Sequence, residues 1–276
     1  MDENTTPRRS RRRRKNNAVR IILIVLCIVL LCVFAYSGYK IISTVLGYKQ
    51  AEKAYDEVAN QYATVVASPT PVPVESDKPQ GDGIDPEVSP LNIDFDGLRA
   101  QSTDYVAWIY CPNTKINYPV AYTDDNFYYL DHIPGEIQNA NGTIFIDCRN
   151  ASDFSDQNTC VYGHNMNDGS MFATLRNYRD ESFYPDHPVM YLSTPDFNYR
   201  LDLIAGFITE PTSFAYAMNF DSPEQFMGHI QLIKDLSTFK SDVEVNETDH
   251  IVTLSTCTYE RDDGRYVIVA KLTRIH

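Results

Sequence analysis

The 276-residue sequence predicts a mainly β domain, a β-barrel decorated with helices, carried behind a single transmembrane helix. Three observations predict this. An uncharged apolar run of 19 residues, 21–39, directly follows an arginine-rich N-terminus. A Pro-rich acidic stretch, 67–90, then breaks the chain. Beyond residue 91, short apolar runs recur between Asn, Asp, Gly and Pro turns, the spacing of closed or sandwiched β-structure.

The N-terminal elements follow from charge. Residues 1–20 hold eight of the 24 basic groups and two acids, so the net charge of -13 conceals a strongly acidic remainder. At about 1.5 Å per residue the IILIVLCIVLLCVFAYSGY run spans roughly 28 Å as a helix, close to the hydrocarbon thickness of a bilayer. Basic residues before it and an acidic body after it put the N-terminus in the cytoplasm and the bulk of the chain outside the cell, at the cell membrane. A cleaved signal peptide is the competing reading, but Ser37-Gly38-Tyr39-Lys40 is a poor small-x-small cleavage site. Adjacency to the apolar run makes the arginines a topology signal and not a nucleic-acid patch.

Residues 40–66 form a stalk whose KQAEKAYDEVANQYATVV stretch has helix formers and no Gly or Pro. The 67–90 segment carries six of the 15 prolines and reads as an extended linker. Residues 91–276 remain for one folded domain. Its apolar runs are YVAWIY, INYPVAY, GTIFID, TCVYG, VMYLST, YRLDLIAGFIT, HIVTLSTC and RYVIVAKL. Two helical interruptions are expected, 169–179 and 222–239, the second with Phe226, Ile230, Ile233 and Leu236 on one face. Cys111, Cys148, Cys160 and Cys257 are too scattered for a disulfide scaffold, although a Cys148–Cys160 bond stays open. No zinc-type spacing occurs, and the proposed chemistry calls for no metal or organic cofactor.

Cys257 ends HIVTLSTC, and Arg265 opens RYVIVAKL after the turn sequence Asp262-Asp263-Gly264. In an antiparallel pair these two positions lie at the same end of the sheet. A thiol attacks as its thiolate, which positive charge stabilises, and a guanidinium also suits a developing oxyanion. His164, just past a strand in TCVYGHNMNDGSMF, is the candidate proton carrier. His132, His187, His229, His250 and His276 read as surface groups. On position alone, Cys257 reads first as a buried structural thiol, Arg265 as a solvated edge charge and His164 as a turn residue.

TLSTC followed by Arg before an apolar strand, and YGHNM followed by DGSMF, resemble the sortases, class B in particular. WIYCPNTKINYPV and NGTIFIDCRN are similar to sortase strands, and the resemblance runs from about residue 91 to the C-terminus. It implies a sortase-type eight-stranded β-barrel with inserted and N-terminal helices. The activity implied is that of a cysteine transpeptidase with Cys257 as nucleophile, His164 as acid/base and Arg265 as oxyanion and substrate holder. Arg261 is the rival for that last role. Its implied partners are sorting-signal peptides of secreted surface proteins and an amine acceptor, from a peptidoglycan precursor or a pilin lysine. Asn126, Leu130, Thr212, Tyr216 and Ser255 are the substrate-lining residues the resemblance nominates, each equally readable as a packing or turn residue. Thr258 departs from the acidic residue that class B members often carry after the Cys. Papain-like peptidases place Cys before His, the reverse of this order. A pilin-polymerising enzyme and a non-catalytic wall-binding module on the same barrel are the alternatives.

Overall fold

A computed structural model describes residues 10–65, 87–135, 137–258 and 263–276. The extreme N-terminal tail, most of the Pro-rich segment and Arg261 lie outside them. Residues 1–49 and 50–276 form separate compact units. The first contains most of helix α1 (Ser10–Tyr62), whose apolar side chains, Leu23 and Phe34 among them, are exposed. Its stretch from Val19 is long and apolar enough to cross a membrane, which makes it a candidate anchor.

In the second unit the end of α1 packs onto the barrel. Tyr55 and Tyr62 are buried, and the Tyr55 hydroxyl donates to the Gly142 carbonyl at 2.5 Å. Strand β1 (Ala63–Val65) pairs antiparallel with β2 (Leu91–Ile93), with Val65 opposite Leu91. The two ends of the Pro-rich segment therefore lie side by side. Asp94 caps α2 (Phe95–Gln101) by accepting from the Gly97 N–H at 2.9 Å.

The remaining strands are β3 (Tyr105–Tyr110), β4 (Asn117–Ala121), the small pair β5 (His132–Ile133) and β6 (Ile137–Gln138), β7 (Ile144–Ile146), β8 (Asn158–Tyr162), β9 (Val189–Ser193), β10 (Asn198–Thr209), β11 (His250–Cys257) and β12 (Arg265–Ile275). Eight of them close a barrel in the order β10-β12-β11-β8-β7-β4-β3-β9. Closure removes the exposed edges that would otherwise template pairing with another chain. The pairings β11–β8 and β4–β7 are parallel, and the other neighbours are antiparallel.

Alternation along the strands builds two cores. Val252, Leu254, Tyr266 and Ile268 face the barrel interior and are wholly buried. The opposite set, with Ile251, Val267, Val269, Phe207 and Cys160, packs beneath helix α3 (Pro223–Asp235) through Phe226, Ile230 and Ile233. Ser222 caps α3 and Pro223 occupies its first turn, a start that needs no proline N–H.

Three expectations are corrected. The 222–239 helix stops at Asp235, which leaves Leu236 at the C-cap and half exposed. The 169–179 region is a 3-10 helix over Ala173–Arg179, preceded by a turn with Gly169 at φ 83°. His229 is buried on α3 between the Phe214 and Phe220 rings, because its helical position falls on the apolar face. Cys148 and Cys160 are both free thiols.

Candidate active site

Strand register assembles the site. Cys257 and Arg265 are direct partners at the last rung of β11–β12, and Thr209, the last residue of β10, pairs with Arg265 from the other side. The parallel β8 pairs Tyr162 with Ser255, and the Gly163 N–H extends that ladder to the Ser255 carbonyl at 3.1 Å. His164 thus leaves β8 at the end of the barrel where β11 ends in Cys257. Cys257, Ser255, Tyr162 and Arg265 share the face covered by α3, so the site lies on the outer surface of the barrel and not in its interior.

Gly163 permits this geometry. A Cβ there would meet the Phe172 ring at 2.6 Å, and Phe172 donates its N–H to the His164 carbonyl at 2.9 Å. Asn165 donates from Nδ2 to the Cys257 carbonyl at 2.8 Å, tying the histidine loop to the cysteine strand.

The His164 imidazole meets the Leu130 main-chain carbonyl, Nε2 to oxygen 2.5 Å. A carbonyl only accepts, so Nε2 carries the proton and Nδ1 is the nitrogen left for proton exchange. The Leu130 carbonyl is held from behind. Thr143 donates its N–H to the Tyr129 carbonyl at 2.9 Å, and Gly142, at φ 57°, lets the turn lie close, since a Cβ there would come within 2.7 Å of the Leu130 oxygen. Asp125 fixes the start of the segment by accepting the Tyr128 and Phe127 N–H groups at 2.7 and 2.6 Å, bonds that hold its carboxyl below the usual range. Arg265 donates from Nη1 to the Asp263 and Gly264 carbonyls, both at 3.1 Å, which steadies the guanidinium against its own turn.

The five substrate candidates divide. Tyr216 and Ser255 are buried together, with a 2.8 Å bond between their hydroxyls. Burial pushes the Tyr216 hydroxyl up to about 12. Leu130 is exposed next to His164. Asn126 is turned inward, its Oδ1 accepting the Cys148 N–H at 2.8 Å. Thr212 is exposed three residues beyond Thr209, without a bond to the others.

Sequence reading missed Tyr162 and Asp147. Tyr162 donates its hydroxyl to the buried Asp147 carboxylate at 2.7 Å, and its ring stands 6.0 Å from Tyr216 and 5.5 Å from Phe145. These rings form a continuous aromatic row from Phe145 through Tyr162 to Tyr216. The signal was present as IFIDCRN, where a charge pair directly follows an apolar strand.

A family profile described as "Sortase domain" matches residues 109–273. Sortase B of Listeria monocytogenes is 34% identical over 249 residues, 90% of this chain and 95% of its own. Sortase B of Staphylococcus aureus is 28% identical over 253 residues, 91% and 95% of the two chains. Among solved structures, sortase B from Bacillus anthracis in complex with AAEK1 superposes with TM-score 0.68 at 30% identity, over 83% of this chain and 99% of that one. The Staphylococcus aureus sortase B–substrate complex gives TM-score 0.62 at 31% identity, over 65% and 84%. With that match spanning the strands that carry His164, Cys257 and Arg265, the chain belongs to the sortase family of cysteine transpeptidases and is most similar to class B.

Proposed function

We propose that this protein is a membrane-anchored, extracellular transpeptidase. It cleaves a C-terminal sorting motif of surface proteins after Thr and transfers the acyl group to an amine of the cell wall. The observation that carries the reading is the pairing of Cys257 with Arg265 on one face of the barrel, with His164 two residues past the end of the neighbouring parallel strand. A solved sortase B bears a substrate and another is complexed with triglycine, which supports a peptide donor and an amine acceptor here.

In the first half-reaction the Cys257 thiolate attacks the threonine carbonyl carbon, and the electron pair of the C=O bond moves to oxygen. Arg265 donates to that oxyanion. Collapse breaks the C–N bond, and the leaving amine takes its proton from the His164 imidazolium at Nδ1, while Nε2–H stays on the Leu130 carbonyl. In the second half-reaction an incoming amine attacks the thioester and loses a proton to Nδ1, and Cys257 leaves as thiolate. Tyr216, Leu130, Asn126, Thr212 and Ser255 shape the groove, through side chains at the first two and by support at the others. The arginines of residues 1–20 stay in the cytoplasm, and residues 21–39 cross the membrane.

The test is mass spectrometry of the full chain in detergent micelles with a panel of sorting-type peptides, with and without an added amine, beside Cys257→Ala. An acyl adduct on Cys257 and an amine-capped product support the proposal. A folded protein that forms neither across the panel overturns it in favour of a wall-binding module.

A further inference from the structure

Asp147 is a fully buried carboxylate that takes no part in the chemistry above. It directly follows β7, and its N–H donates to the Cys160 carbonyl at 2.9 Å. An ionised carboxylate is tolerated in an interior only when its lone pairs are taken. Here Arg149 donates from Nε at 2.9 Å, from Nη2 at 2.7 Å and from its main-chain N–H at 3.0 Å. Tyr162 adds its hydroxyl at 2.7 Å. Burial alone would raise this carboxyl, but the bonds from Arg149 and Tyr162 outweigh it and leave it well below the usual range.

Two pieces of chain that orient the catalytic imidazole meet beside Asp147. Tyr162, the last residue of β8, precedes His164 by two residues. Asn126 opens the segment that ends in the Leu130 carbonyl, the acceptor of His164 Nε2–H. Asn126 also fastens that segment to the main chain beside Asp147, through the Cys148 N–H. Neighbouring residues therefore hold both pieces: the Asp147 carboxylate holds the strand that leads to the imidazole, and the Cys148 N–H holds the segment that carries its acceptor. Hydrogen-bond partners of this kind fix tautomer and ring direction in catalytic histidines.

We propose that Asp147 is a positioning residue for His164: by holding Tyr162 against the main chain to which Asn126 is fastened, it keeps the Leu130 carbonyl and the imidazole in register, so that Nδ1 is the nitrogen offered for proton exchange. The proposal rests on His164 being the acid/base. It differs from a purely structural role, in which Asp147 would hold the fold and leave the imidazole's state untouched.

The experiment uses the full chain in detergent micelles, labelled with ¹⁵N-histidine, with the His164 signals assigned by their loss in His164→Gln. Long-range ¹⁵N–¹H spectra report the tautomer, and steady-state kinetics separate kcat from KM. Asp147→Asn removes the charge while keeping one acceptor oxygen. The expected result is a neutral imidazole that changes from the Nε2–H form to a mixture of tautomers, with kcat reduced about 10- to 100-fold by a misplaced proton carrier. Alkylation of Cys257 by iodoacetamide stays within a few-fold of the parent. If Asp147→Asn fails to fold, Tyr162→Phe, which keeps the Asp147–Arg149 pair and drops one donor, is read by the same signature. An unchanged tautomer and kcat in a folded variant, with only the melting temperature lowered, overturns the proposal. Loss of tautomer control with full turnover in His164→Gln would sink the acid/base reading while leaving the positioning of the ring established.

Discussion

Cys257 and Arg265 face each other across the last rung of β11 and β12, and both side chains leave the sheet on its outer face. Their nearness is a property of register. A slip of one residue in that hairpin would send one of the two side chains into the barrel.

Arg265→Lys keeps the charge and loses the planar fork. The expected outcome is a fall in kcat of about 10²- to 10³-fold, the usual loss for one oxyanion donor, with little change in KM. Single-turnover acylation against a sorting peptide checks it. An Arg265→Lys enzyme acylating at the parent rate would assign the oxyanion to another donor.

Gly163→Ala brings a methyl group into the Phe172 ring, which the Cβ would meet at 2.6 Å. Overpacking of this kind costs about 1–3 kcal/mol. Phe172 is wholly buried and bonded to the His164 carbonyl, so the strain falls on the histidine loop. Urea unfolding should show the loss, and Gly163→Ala combined with Phe172→Leu should recover part of it.

Tyr216 and Ser255 satisfy each other's buried hydroxyls. Tyr216→Phe and Ser255→Ala should each destabilise, and the double variant should show a coupling of about 1 kcal/mol. A cycle that closes with no coupling would mean the two hydroxyls are not paired in solution.

His229 makes stability depend on pH. Burial lowers its pKa to about 4, against 6.5 for the free side chain, and its Nε2 has no hydrogen-bond partner among the described residues. Between these values the unfolded chain binds the proton and the folded chain does not, so stability falls as pH drops from 6.5 towards 4. The full effect amounts to up to about 3 kcal/mol. Urea midpoints at pH 7.5 and 5 should separate more widely in the parent than in His229→Phe.

The sequence by itself determined the parts whose signal is local. Nineteen uncharged residues after an arginine cluster mark a candidate membrane helix whatever lies beyond them. Alternating strands, the Asp-Gly turn and the Ser222-Pro223 helix start follow from backbone preferences of a few adjacent residues, and TLSTC and YGHNM carry the family likeness. The boundary of α3 at Asp235 and the burial of His229 were not legible, because amphipathic spacing identifies a face but not where the covering helix stops.

Only tertiary structure decided what meets across the chain. Leu130 and His164 are 34 positions apart, and their bond depends on a turn held by Gly142. Tyr55 reaches a carbonyl 87 residues away, which joins the end of α1 to the barrel. Asp147 reads in the sequence as one more acid, and its role as a clamp exists only because β7 and β8 are neighbours in the closed sheet. The physical reason is the same in each case: hydrophobic patterning is written along the chain, whereas a buried polar group is specified by partners that folding brings from elsewhere.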